Sequence, residues 1–155
     1  MKIVLPLVAL TGAAVMTSLL IQGVTPVSAD SARNGVIHIQ KDCKDYDGSA
    51  GSHCTITLSN LPEIPANSIV YYSQGDGVPK GMLDSNVVLV APDGSWGLGR
   101  CTLNDSTGKG LCTFSDGTGL LAGFTARLDV SFLGGADMAL FAWNGTYSFK
   151  PLPSR

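Results

Sequence analysis

The chain has 155 residues, with ten Lys and Arg against twelve Asp and Glu, a formal charge of −2. That length suits one domain, and a mildly acidic chain without a basic run is a poor polyanion binder, so nucleic acid is excluded as the primary partner. Beyond residue 29 a single Glu (Glu63), two Gln and nine Ala stand against 17 Gly, a mix poor in helix formers that reads as all-β.

The chain opens MKIVLPLVALTGAAVMTSLLIQGVTPVSA, with Lys2 ahead of an apolar run from Ile3 to Ile21 and small residues at Val27 and Ala29. Residues 1–29 are therefore expected to be a signal peptide cleaved after Ala29, making the protein secreted or periplasmic, with no membrane contact after cleavage. Residues 30–155 form the single mature domain, whose charge is 9 − 12 = −3 once Lys2 is gone. A domain of this size buries roughly two-thirds of the surface its unfolded chain exposes, enough for a core of its own.

Short segments of strand character follow, expected at 35–43, 53–60, 68–74, 85–91, 97–104, 109–115, 121–132 and 139–149. The first holds His38 between Ile37 and Ile39, which reads as a wet-face residue or, as the sharper alternative, a cavity acid/base. The next loop carries Asp42, Asp45 and Asp47; it reads as a solvated tip, since the spacing matches no standard calcium loop. Leu61-Pro62-Glu63-Ile64-Pro65 is a rigid connector. Tyr71 and Tyr72 are adjacent, so one faces each side of its strand. Val87 to Val90 is apolar on both faces, as in a central strand or an association surface.

In 121–132, Phe124, Ala126, Leu128, Val130 and Phe132 alternate with Thr125, Arg127, Asp129 and Ser131, giving one dry and one wet face. Arg127 and Asp129 share a face: an exposed pair of little value, or a polar lining that orients a ligand. Trp96, Trp143 and Tyr147 lie near strand ends, where they close a core or grip a hydrophobic ligand. The Asx-Gly pairs Asn34-Gly35, Asp47-Gly48, Asp76-Gly77, Asp93-Gly94, Asp116-Gly117 and Asn144-Gly145 read as turns.

Four cysteines in an exported chain point to disulfides. The two C-x10-C segments, Cys43 to Cys54 and Cys101 to Cys112, each enclose a turn-rich stretch. If each is a hairpin loop, its cysteines meet across paired strands, so Cys43–Cys54 and Cys101–Cys112 are the expected bridges. No close cysteine pair suits structural zinc, and no metal site or cofactor is expected. Serine-hydrolase, zinc-protease and P-loop signatures are lacking. Two sequons, at Asn104 and Asn144, fall in expected turns.

Cys112 to Ser131, with Asp116-Gly117-Thr118-Gly119 as a Gly-rich turn before a long alternating strand, resembles the allene oxide cyclase and dirigent barrels. There a GG-[TA]-G-x-[FY] turn leads into a similar strand; here Leu121 replaces the usual aromatic. The resemblance implies an eight-stranded antiparallel β-barrel with an apolar interior, carrying two hairpin disulfides in this chain, and homo-oligomers (trimer or dimer) are carried over from the plant members. It also implies a hydrophobic small-molecule partner and a cofactor-free, cyclase- or isomerase-like role of guiding cyclisation or coupling. The plant cyclase's catalytic Glu has no counterpart, because Glu63 lies in the connector, so no catalytic residue is assigned. His38, Tyr72, Arg127, Asp129 and Trp143 are the candidate ligand-binding residues. The competing reading is a non-enzymatic secreted binding or interaction protein. An internal cavity lined by His38, Tyr72 or Arg127 marks the first reading; a barrel filled solid with side chains and an exposed apolar patch around Val87–Val90 marks the second.

Overall fold

The computed structural model describes residues 33–77, 79–135 and 139–151. The expected leader, residues 1–29, lies outside them. Eight antiparallel strands close into one barrel in sequence order, the last pairing with the first. They are β1 (Arg33–Asp42), β2 (His53–Ser59), β3 (Ile69–Tyr72), β4 (Met82–Val90), β5 (Trp96–Asn104), β6 (Lys109–Gly117), β7 (Phe124–Gly134) and β8 (Leu140–Phe149). The expected strands all form, with ends shifted by a few residues. One difference is local: Gly119–Leu121 is a 3-10 turn before β7, so the strand expected to start at 121 starts at Phe124. That turn drops Leu121, fully buried, into the barrel's end.

Period-two alternation sets the inside. Ile37, Ile39, Ile56, Val70, Val87, Leu89, Leu128 and Trp143 are buried, while His38, Gln40, Arg127 and Asp129 on the intervening positions are exposed. The dry face expected for β7 is thus the barrel lining. The barrel interior holds a cluster of aromatic rings. Phe114 lies 5.8 Å from both Phe124 and Trp143, and Phe124 lies 5.4 Å from Phe149.

Three of the six Asx-Gly pairs turn the chain as expected. At Asp93-Gly94 the Asp93 carboxylate accepts hydrogen bonds from the Ser95 amide at 3.0 Å and the Ser95 hydroxyl at 2.8 Å. The other three are corrected: Gly35, Gly117 and Gly145 lie within strands. Gly145 shows why. A Cβ there would come within 1.9 Å of the Arg127 carbonyl oxygen on β7, so the missing side chain lets two coiled strands close up.

Both expected bridges form, with Cα separations of 4.2 Å for Cys43–Cys54 and 4.1 Å for Cys101–Cys112. Cys101 and Cys112 are direct cross-strand partners on β5 and β6. Both bridges are buried and belong to an oxidising, extracytoplasmic compartment.

The two ends of the barrel differ. At one end the loops fold inward and bury Leu61, Ile64 and Leu121. Glu63 is there, paired with Arg33 at 2.7 Å, whose guanidinium lies 4.3 Å from the centre of the Phe149 ring. At the other end lie the disulfides, the end of β1 and the start of β8. Among the described residues this second end carries a cleft.

Candidate functional site

β1 alternates Ile37, Ile39, Lys41 on its inner side. The third of these is a lysine in an apolar barrel, only 4% exposed. Opposite it, Tyr72 ends β3 with its ring inside, and Phe141 and Trp143 come in from β8. The Lys41 amine is hydrogen-bonded to the Tyr72 phenol. It also lies 4.6 Å from the centre of the Trp143 ring, 5.0 Å from that of Tyr72 and 5.5 Å from that of Phe141. Cys54 Sγ is 3.9 Å from Nζ. Tyr46, from the β1–β2 loop, stacks edge-on against Tyr72 at 5.0 Å and closes the cage from above.

Lys41, Tyr46, Tyr72 and Phe141, with Leu83 and Leu103, surround a cavity of about 40 Å³ that both disulfides border. By this measure a water needs about 10–15 Å³, so the cavity takes a group of a few atoms. Directly outside lies a cleft of about 760 Å³ at the mouth of the barrel. Cavity and cleft share Cys43, Tyr46, Leu103 and Phe141. Those four residues are the partition between them.

Burial dominates the electrostatics. It pulls the Lys41 amine down from 10.5 to about 7, because an ammonium loses its hydration there. The three ring faces act the other way and favour the cation. Burial, reinforced by neighbouring Tyr46, raises the Tyr72 phenol well above its usual range. The Tyr46 phenol is pushed up to about 12, by burial first and then by the charges of Asp76, Asp105 and Asp47. Its oxygen is buried with no hydrogen-bond partner among the described residues, as is the Trp143 indole nitrogen. Asp76 and Asp105 line the cleft, and burial and the Asp76 charge raise the Asp105 carboxyl. The described mouth thus carries two acids, Asp76 and Asp105, and one base, Lys44, while the floor holds an amine.

The sequence-derived candidates divide by strand face. Tyr72 and Trp143 point inward and meet at Lys41. His38 does not enter the interior: it is exposed, with Nδ1 2.8 Å from the Asn144 side-chain oxygen. Arg127 and Asp129 project from the outer face of β7, which corrects the reading of this pair as a barrel lining; Arg127 instead borders a shallow outer hollow. Lys41 and Tyr46 were not among the candidates. Period-two counting from Ile37 and Ile39 places Lys41 inside, and that is the signal that finds it. Nothing local marks Tyr46, which reaches the site through a loop. Among the described residues no group of three or more His, Cys, Asp or Glu is placed to hold a metal ion.

Comparison with known protein families, curated proteins and solved structures finds no match to this chain.

Proposed function

We propose that this chain is an exported barrel that binds a hydrophobic small molecule at its cleft-bearing end. The ligand's body lies in the outer cleft and a compact group reaches the cavity floored by Lys41 and Tyr72. The observation that carries this reading is the buried amine in a ring of aromatic side chains, with only Cys43, Tyr46, Leu103 and Phe141 between its cavity and the cleft at the mouth. A barrel that served only as a scaffold gains nothing from such a group, which costs several kcal/mol to bury.

Guidance of a cyclisation or coupling, as in the allene oxide cyclase and dirigent barrels that Cys112 to Ser131 resembles, belongs to the same reading. The size of the cavity restricts it: only the reacting group, not a whole substrate, fits where water is excluded. The test is native mass spectrometry of the mature protein from its own culture medium. An adduct of a few hundred daltons, lost on substitution of Phe141 by a smaller residue, supports the reading. A bare mass in repeated preparations contradicts it.

A second reading has its own observation. On the outer wall Tyr71, Val88 and Leu98 are aligned across β3, β4 and β5, and Tyr71, Leu98 and Trp96 are exposed. Such a row suits association with another copy of the chain, as a dimer or trimer. Leu98→Asp then lowers the sedimentation coefficient to that of a monomer; a wild-type protein that is already monomeric removes this reading.

A further inference from the structure

We propose that Lys41 is a carbonyl-capturing amine, which condenses with a small neutral aldehyde or ketone delivered through the cleft. This rests on the ligand-binding reading above and names the chemical class that the cavity takes.

Three features of the site point to a carbonyl. The amine is held inside, away from competing water, beside a cavity sized for a group of a few atoms. Lysines held in this way are the ones that act as nucleophiles, because they retain a free electron pair near neutral pH. The phenol of Tyr72 is hydrogen-bonded to the same nitrogen, and the Tyr46 phenol has a buried, unpartnered oxygen. The Tyr72 phenol beside the amine and the Tyr46 phenol lining the same cavity supply what imine formation needs: a carrier for the proton and a donor to the carbonyl oxygen.

The step is balanced without any co-reactant. The nitrogen electron pair forms the C–N bond as the carbonyl π pair moves to oxygen. A proton passes from nitrogen to that oxygen, by way of Tyr72, to give a carbinolamine. The hydroxyl then leaves as water with a proton from the Tyr72 phenol while the nitrogen pair closes the C=N bond, and the remaining N–H proton of the iminium returns to the phenolate. One amine and one carbonyl compound give one imine and one water.

The mouth selects within this class. An apolar carboxylic acid would also satisfy a lysine, but the rim it must pass carries Asp76 and Asp105 against the single cation Lys44 among the described residues. Like charges disfavour that path, whereas a neutral carbonyl crosses without penalty. Among the described residues no carboxylate pairs with the amine: its polar neighbours there are Tyr72 from β3 and Cys54 Sγ from β2.

The experiment is reductive trapping on the intact, oxidised mature protein. Benzaldehyde and cyanoborohydride are added at pH 7, and the alkylated lysines are located by peptide mapping. The four other lysines of the mature chain, Lys44, Lys80, Lys109 and Lys150, are exposed and serve as internal controls. Lys41 is expected to label at least about tenfold faster than any of them, since exposed lysines are almost wholly protonated at that pH. A neutral apolar dye, N-phenyl-1-naphthylamine, is titrated in parallel and is expected to protect Lys41. Tyr72→Phe keeps the ring and removes the hydroxyl; it is expected to slow labelling at Lys41 several-fold and leave the control lysines unchanged. Folding of that variant is checked by circular dichroism. Labelling confined to the exposed lysines, with dye still bound, overturns carbonyl capture and leaves ligand binding standing. Failure of both dye and aldehyde to reach the protein overturns both.

Discussion

Lys41 pays for its position in stability, and the sign follows from its two titrations. Unfolded, the amine takes a proton below about pH 10.4; folded, it does so only below about 7. Between these values the unfolded state binds the extra proton, so stability rises with pH across that window. Below pH 7 the penalty is complete, of order 3–5 kcal/mol. Above about pH 10 the buried tyrosines act oppositely. Their phenols stay protonated in the fold while the unfolded chain releases them, so stability falls again. Urea unfolding is therefore expected to peak between pH 9 and 10. Lys41→Met is expected to be more stable than wild type at pH 7 by about 2 kcal/mol or more, with the rise between pH 7 and 9 abolished. A variant less stable at pH 7 would mean that hydrogen bonding and the aromatic faces outweigh desolvation at this site.

The strands illustrate how far local pattern reaches. Alternation in β7, the C-x10-C spacing of both disulfides and the number of strands were legible because each depends on neighbours along the chain or directly across a hairpin. Three Asx-Gly pairs misled. Gly145 has the sequence look of a turn, but its constraint is the approach of β7, which no local rule contains. Gly145→Ala is expected to destabilise the fold by about 3 kcal/mol or more, measured by thermal unfolding, because backbone must move to admit the methyl. Lys41 escaped for a related reason: lysine is read as a surface residue until the strand's phase is fixed by its neighbours. The disulfides act at this scale too. Each closes a short loop, worth about 2–3 kcal/mol in the chain-entropy account. Since both border the Lys41 cavity, reduction is expected to weaken dye binding as well as lower the melting temperature. Full binding by the reduced, folded protein would show that the cavity walls do not need the bridges.

The whole molecule is a barrel with two unlike ends, and the proposed site lies at one of them. The opposite end buries Leu61, Ile64 and Leu121, and the aromatic cluster separates it from the mouth. Leu121→Ala is expected to cost about 2–5 kcal/mol in urea unfolding while leaving dye affinity unchanged. A matching loss of affinity would mean that the two ends are coupled through the core. The outer wall around Val88 and Leu98 is the rival working surface; Tyr71 adjoins the cavity-lining Tyr72 along β3, so Val88 and Leu98 are the residues that distinguish the two. The decisive measurement is amide chemical-shift mapping by nuclear magnetic resonance during titration with N-phenyl-1-naphthylamine. The cleft account predicts saturable shifts at Lys41, Tyr46, Leu103 and Phe141, with Val88 and Leu98 silent. Shifts confined to Val88 and Leu98, or none at any concentration, would contradict it.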